Sequence, residues 1–173
     1  KLRSTLFNFS DTMRNNNLKL TFRTDLDVAI ISADIAALDK ILNNVILNAV
    51  KYAESQIKII VTRSTESKIA IRFENDGAEI PAEYREAVFK PFVQYRESSA
   101  IQKSGVGIGL PLAKNLAMMH QGDLELADEP RTCFILTLPL KSTETLAGSI
   151  KESVAQDLPS DKEIILIADD NKE

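Results

Sequence analysis

The clearest periodicity in the chain is Ile35, Leu38, Ile41, Leu42, Val45, Ile46 and Ala49. This apolar stripe at helical spacing predicts an amphipathic helix, with Asp34 placed to cap it. Elsewhere the alternation is that of strands. Leu18 to Arg23 alternates apolar and polar positions after the loop-forming Asn15-Asn16-Asn17, and Val28 to Ile31 reads as a second short strand. Ile57 to Arg63 and Lys68 to Asn75, joined by Ser64-Thr65-Glu66-Ser67, predict a hairpin. Glu83 to Phe89 reads as a short helix, and Leu110 to His120 as a longer one terminated by Gly122. Leu124 to Leu126 and Thr132 to Leu138 complete the strands, with Pro139 ending the last. Together these elements predict an α/β fold, a two-layer α/β sandwich with helices on one face of a mixed sheet.

The pattern also divides the chain. Residues 1–13 read as the end of an upstream helix or a connector, and residues 14–140 as the main domain. Residues 141–162 are rich in Ser, Thr, Glu and Lys, which is the composition of a linker. Glu163-Ile164-Ile165-Leu166-Ile167-Ala168 is a continuously apolar strand of the buried parallel type, so residues 163–173 read as the start of another domain. A chain that begins inside a helical pattern and stops at Asp169-Asp170-Asn171-Lys172-Glu173 is expected to be cut from something longer.

Composition narrows the function. With 44% hydrophobic and 27% charged residues the chain can build a core, which excludes a disordered segment. A net charge of −4 and a pI near 5.2 give no basic field, so nucleic acid is not an expected partner and any phosphate contact must be local. The single Cys133 excludes an internal disulfide and a cysteine zinc cluster, and its place in an alternating apolar run makes it a packing residue. No apolar stretch approaches the roughly 20 residues needed to cross a bilayer, and Lys1-Leu2-Arg3-Ser4 does not open a signal peptide.

Three constellations carry candidate chemistry. On the predicted long helix, Asn44, Asn48 and Lys51 share one face; the neutral oxygen of Asn48 suits magnesium and Lys51 offers a point charge to phosphate. A solvated polar helix face would show the same spacing. The second is Asn75-Asp76-Gly77-Ala78-Glu79-Ile80-Pro81, directly after a strand, where Gly77 lets the backbone turn tightly and approach a ligand. Strand alternation puts Asn75 at the end of the buried face with Ile69, Ile71 and Phe73, and Asp76 on the other side with Arg72 and Glu74. The third is Gly105-Val106-Gly107-Ile108-Gly109-Leu110, glycines at alternate positions opening a helix, a loop able to present backbone N–H groups to phosphate oxygens. A flexible hinge is the bland alternative. The spacing is not that of the dinucleotide fingerprint, and the lysine of a Walker loop is missing.

The order of these motifs is more specific than any one of them. Asn44 to Tyr52, then Asp76-Gly77, then Phe89-Lys90-Pro91-Phe92, then the glycine loop resemble the asparagine box, first glycine box, phenylalanine box and second glycine box of sensor histidine kinases. The resemblance runs from about residue 34 to 140 and includes Leu116 to Gly122 and the closing Leu138-Pro139. It implies the Bergerat-type ATP-binding fold shared by gyrase, heat-shock chaperone and mismatch-repair ATPases, with ATP and Mg as ligands. Carried over by motif, Asn48 is the magnesium ligand, Asn44 and Lys51 are phosphate-side contacts, and Tyr52 is a wall near the adenine. Gly105, Gly107 and Gly109 form the phosphate cradle with Leu110 opening the helix behind it, Asn75 stands at the adenine contact, and Gly77, Ile80, Val106 and Thr132 are further ATP-binding positions. Residues 93–104 would be a lid.

In the family the phosphoacceptor histidine lies on an upstream dimerising helical domain. The sole histidine here, His120, sits where the family keeps one that is not phosphorylated, at a helix end, so the phosphoacceptor is expected outside this chain. Ile164 to Asn171 resembles the first strand and acidic pair of a receiver domain, which implies a hybrid kinase relaying phosphate to an aspartate. The implied partners are ATP, the protein's own dimerisation domain and a receiver domain. The implied setting is a cytoplasmic domain of a homodimer anchored in the bacterial inner membrane.

Two positions depart from the pattern. Asn75 replaces the aspartate that usually accepts a hydrogen bond from the adenine amino group, and Glu79 replaces a glycine. A neutral bond is worth about 1 kcal/mol against roughly 1.5–3 for a charged one, so weaker or less base-selective ATP binding is expected. Asp76 could accept instead only through a one-residue slip that turns the strand over. A module that no longer uses ATP and works through protein contacts is therefore one alternative. An ATP-hydrolysing protein of the same fold is another, but the position where such proteins usually have a water-activating glutamate is Asn44, and an amide is no general base.

Overall fold

The computed structural model describes residues 1–26, 29–31, 33–93 and 106–140, together with the backbone of residues 166–168. Two short helices open the chain, α1 (Leu2–Asn8) and α2 (Ser10–Asn15). Leu2, Leu6 and Met13 from them enter the main core, and Lys1 pairs with Asp39 at 2.6 Å. Next come β1 (Lys19–Thr24), β2 (Ala29–Ile31), α3 (Ile35–Tyr52), β3 (Gln56–Thr65) and β4 (Lys68–Asn75). After two 3₁₀ turns, Ala82–Tyr84 and Ala87–Phe89, follow α4 (Gly109–Met119), β5 (Asp123–Leu126), β6 (Thr132–Pro139) and β7 (Leu166–Ala168).

The main sheet has the order β1-β3-β4-β6-β5, with β1 parallel to β3 and the other pairs antiparallel. It is the mixed sheet expected. Ile57, Ile59 and Val61 of β3 and Ile69, Ile71 and Phe73 of β4 are almost wholly buried while their neighbours are not, so one face of the sheet is apolar. Leu38, Ile41, Leu42, Val45, Ile46 and Ala49 of α3 belong to the same core, at about 1.5–3 kcal/mol for each large aliphatic side chain buried. Asp34 caps α3, its carboxylate accepting the Ala37 N–H at 2.6 Å.

The outer face of the sheet carries charge. Lys58 meets Glu74 at 3.2 Å, and Arg72 bridges Glu74 at 3.5 Å and Glu129 at 2.6 Å. Cys133 lies buried beneath this group as a free thiol, in the packing role expected of it.

Two expectations differ in detail. The segment Glu83 to Phe89 forms two separate 3₁₀ turns rather than one helix, because Val88 is the only residue of those turns that is buried. An isolated short turn has too few hydrogen bonds to propagate without an apolar face. At the end of α4 the left-handed residue is Gln121, with φ 58°, rather than Gly122. Gly122 is needed for another reason: a Cβ there would lie 2.1 Å from the Thr137 carbonyl oxygen. Strand β6 ends at Pro139, as expected.

Strand β2 stands outside the main sheet and pairs in parallel with β7, Ala29 opposite Leu166. Val28, the linker over 141–162 and the remainder of the segment read as a domain start lie outside the described residues.

Burial pushes the Cys133 thiol up to about 12, against a partial counter-effect from Arg72. Cys133 is therefore expected to resist disulfide reagents at pH 8 in the folded protein and to react at once in denaturant. Rapid stoichiometric labelling under native conditions would contradict this packing.

Candidate functional site

One end of the sheet gathers Asn75, Gly77, Thr132 and Tyr52. Strand β4 ends at Asn75, which is 2% exposed and completes the buried face after Phe73, as alternation required. Its partner across the ladder is Thr132, which is also buried and donates its hydroxyl to the Ala78 carbonyl at 3.0 Å. The Asn75 Oδ1 accepts the Gly77 N–H at 3.1 Å, closing a tight turn. Its Nδ2 is buried and has no partner.

Gly77 is fixed by proximity. A Cβ there would lie 2.0 Å from the backbone oxygen of Tyr52, so the strand end presses against the end of α3 and only glycine fits. Ile80, farther along the same loop, packs on the core. The extra carboxylate of Glu79 turns toward Arg85 at 3.7 Å, and Arg85 also pairs with Asp128. Its charge is thus partly balanced from within the protein.

Helix α3 presents Asn44, Asn48, Lys51 and Tyr52 as half-buried residues beside its apolar face. Asn44 donates to the Lys40 carbonyl at 2.7 Å, a local bond that orients its amide. Its Oδ1 would lie 2.7 Å from a Cβ on Gly109, so the start of α4 approaches α3 at this point. The Lys51 ammonium lies 4.9 Å from the centre of the Tyr52 ring.

The glycine loop is described from Val106 onward; Gly105 and most of the expected lid, residues 94–104, lie outside the described residues. Gly107 has φ 75° and a Cβ there would meet the Val93 oxygen at 2.9 Å, so it needs glycine on both counts. The Phe92 N–H donates to the Gly107 carbonyl at 2.9 Å. This bond draws together the two ends of the intervening segment. Val106 is largely exposed, whereas Leu110 packs on the core one residue into α4.

Two residues have roles that spacing did not disclose. Asp76 points away from the buried face, as alternation predicted, and clamps the turn between α3 and β3. Its carboxylate accepts the N–H groups of Glu54, Ser55 and Gln56 at 2.9–3.1 Å and the Ser55 hydroxyl at 2.6 Å. Partial burial opposes its ionisation, but the Ser55 hydroxyl and the Gln56, Ser55 and Glu54 amides outweigh that and hold the carboxyl well below the usual range. The signal available in the sequence was an aspartate before glycine at a strand end. His120 is the second. Its Nε2 accepts the Asp34 N–H at 3.1 Å, so its Nδ1 carries the proton and donates to the Leu116 carbonyl at 2.7 Å.

Comparison with known proteins bears on this geometry. Residues 33–142 match the family model described as histidine kinase-, DNA gyrase B- and HSP90-like ATPase. Histidine kinase P4 of Formosa agariphila is 33% identical over 145 residues, which are 80% of this chain and 11% of that protein. The autoinducer 2 sensor kinase/phosphatase LuxQ of Vibrio parahaemolyticus is 28% identical over 167 residues, 85% of this chain and 20% of that protein. Among solved structures, a nucleotide-free catalytic domain of the histidine kinase ThkA superposes with a TM-score of 0.67 at 25% identity, covering 80% of this chain and 90% of that one. The chain therefore spans only a small part of the curated relatives it matches.

Asp76→Asn is expected to cost about 1 kcal/mol of stability at pH 7, since the amide still accepts some of these bonds and the site is partly solvated. The depressed folded value means that the wild-type advantage is full above roughly pH 4 and fades as pH falls below it, so chemical denaturation of the two proteins should converge in acid. Gly77→Ala should cost at least about 2 kcal/mol, because a backbone oxygen cannot move aside as a side chain could. A thermal midpoint unchanged in that variant would contradict the close approach of β4 to α3.

Proposed function

Because the chain belongs to the family of histidine kinase-, DNA gyrase B- and HSP90-like ATPases, as an ATP-binding catalytic domain of the sensor histidine kinase kind, we propose that it binds magnesium ATP between α3 and α4 and supplies the γ-phosphoryl group to a histidine carried elsewhere in a two-component sensor protein. The observation that supports this most directly is that α3 is approached closely at two points, at Asn44 by Gly109 and at Tyr52 by Gly77 beside Asn75. A nucleotide fits these residues. The buried Asn75 Nδ2 lacks a partner, and the glycines lie where a Cβ would collide with α3 or with the segment before the lid.

In this reading Tyr52, Asn75, Gly77, Ile80 and Thr132 frame the base. The backbone N–H groups of Gly105, Val106, Gly107, Gly109 and Leu110, with the start of α4, hold the phosphates, with Asn44 beside them. Lys51 adds one positive charge, and Asn48 offers magnesium a neutral oxygen while phosphate and water complete its shell. Magnesium supplies neutralisation of charge on the phosphate oxygens.

The domain's own residues favour transfer over hydrolysis. Asn44 cannot take a proton from water, and its amide is already tied to the Lys40 carbonyl. His120 has both ring nitrogens engaged, which supports an acceptor histidine elsewhere. We extend the proposal to the whole protein: residues 163–173 begin a receiver domain to which phosphate is relayed, and the full-length chain is a membrane-anchored homodimer. Among the described residues no helix is long and apolar enough to cross a membrane.

Calorimetric titration with ATP and magnesium should give saturable binding that weakens at least about tenfold in Asn48→Ala. With γ-labelled ATP, label should pass to an added histidine phosphotransfer domain from a cognate kinase, while free phosphate stays at background without it. Absence of binding at millimolar ATP would overturn the proposal in favour of a module that acts through protein contacts alone.

A further inference from the structure

We propose that His120 is a positioning residue for the phosphate side of the site: by holding the end of α4 to the cap of α3, it sets where the glycine loop stands opposite Asn44 and Asn48. This inference rests on the nucleotide reading above and adds to it a residue that touches no part of the nucleotide.

The imidazole ring is fixed at both nitrogens. Nδ1 donates to the Leu116 carbonyl, one turn earlier in α4, at 2.7 Å, so Nε2 is the bare nitrogen and accepts the Asp34 N–H at 3.1 Å. Asp34 is the cap of α3. Its carboxylate accepts the Ala37 N–H at 2.6 Å and its carbonyl the Leu38 N–H at 2.9 Å. A chain of hydrogen bonds therefore runs from the last turn of α4 into the first turn of α3. The other polar tie of α4 leads elsewhere: Lys114 donates to the Asp123 carboxylate at 2.6 Å and to the Leu124 carbonyl at 2.7 Å, which holds the helix to β5 and not to α3.

A second point of approach lies at the other end of α4, where a Cβ on Gly109 would stand 2.7 Å from the Asn44 Oδ1. Asn44 lies ten residues after Asp34, and His120 eleven after Gly109, roughly 15 and 16 Å of helix at about 1.5 Å per residue. The two spans match. Helix α4 thus runs antiparallel along the first turns of α3 and meets it at both ends. Between those points the buried residues of α4 are Pro111, Ala113 and Ala117, small side chains whose low ridges do little to resist a change of angle. Releasing His120 leaves α4 to pivot near Gly109, and a small rotation there shifts the N–H groups of the glycine loop against Asn44 and Asn48. The base side is spared, because Asn75, Gly77 and Tyr52 stand at the end of β4 and the far end of α3.

The experiment is titration of the wild type, His120→Phe and His120→Gln with magnesium ATP by calorimetry and with adenosine by NMR. Phenylalanine keeps a ring and removes both nitrogens, whereas glutamine returns an acceptor near the place of Nε2. His120→Phe is expected to bind magnesium ATP at least about threefold more weakly with its adenosine affinity unchanged, and His120→Gln to recover most of that loss. A smaller loss, an equal loss for adenosine, or no recovery in His120→Gln overturns the inference while leaving the nucleotide site in place. Failure of the wild type to bind ATP overturns both. Should His120→Phe not fold, hydrogen exchange of the wild type decides: the Asp34 amide is expected to slow more with magnesium ATP than with adenosine at equal occupancy, and equal slowing overturns the inference.

Discussion

The seating of α3 on the inner face of β3 and β4 is the constraint on which the site depends. Leu38, Leu42, Val45 and Ile46 are at most 1% exposed, so the helix can neither roll nor slide without opening the core. Because 3.6 residues make a turn, burying that stripe sends Asn44, Asn48 and Lys51 to its margin. The polar edge of α3 is thus aimed by the apolar one. Two short-range devices then fix the axial position. Gly77 brings β4 against the Tyr52 carbonyl, and Asp76 ties down the turn that follows α3.

Those two devices sit on adjacent residues with opposite orientations. Asn75 points into the core side, Asp76 points out and Gly77 has no side chain, so three consecutive positions serve the inner face, loop bracing and close packing. A one-residue slip would put the charged carboxylate into the core and leave the turn after α3 with three unpaired amides. Both costs run the same way. They specify the register at the end of β4, and they explain why Asp76 does not take the place of the missing aspartate.

Much of this was legible in the sequence. The stripe on α3 and the alternation in β3, β4 and β6 gave the helix, the strands and their buried faces, because a side-chain period maps directly onto burial. Asn75 was placed on the inner face by the same argument. The two 3₁₀ turns between Ala82 and Phe89 were not, since so short a segment carries no dependable period. Equally opaque were contacts between residues far apart in the chain, such as Asp34 with His120 and Phe92 with Gly107. Spacing fixes neighbours along one element; only packing decides which elements meet.

The arrangement has a chemical consequence. Under the proposed function the phosphates face Asn44 and Asn48 of α3, the described glycines and Lys51, and an amide cannot act as a general base. His120 binds a backbone N–H through one ring nitrogen and a carbonyl through the other, so protonating or modifying it would loosen the start of α3. Under that proposal the arrangement orients a polyanion and lowers the energy of charge moving along it, without a base among the described asparagines and glycines. Under the proposed function, the group that receives the phosphoryl carries its own nucleophile.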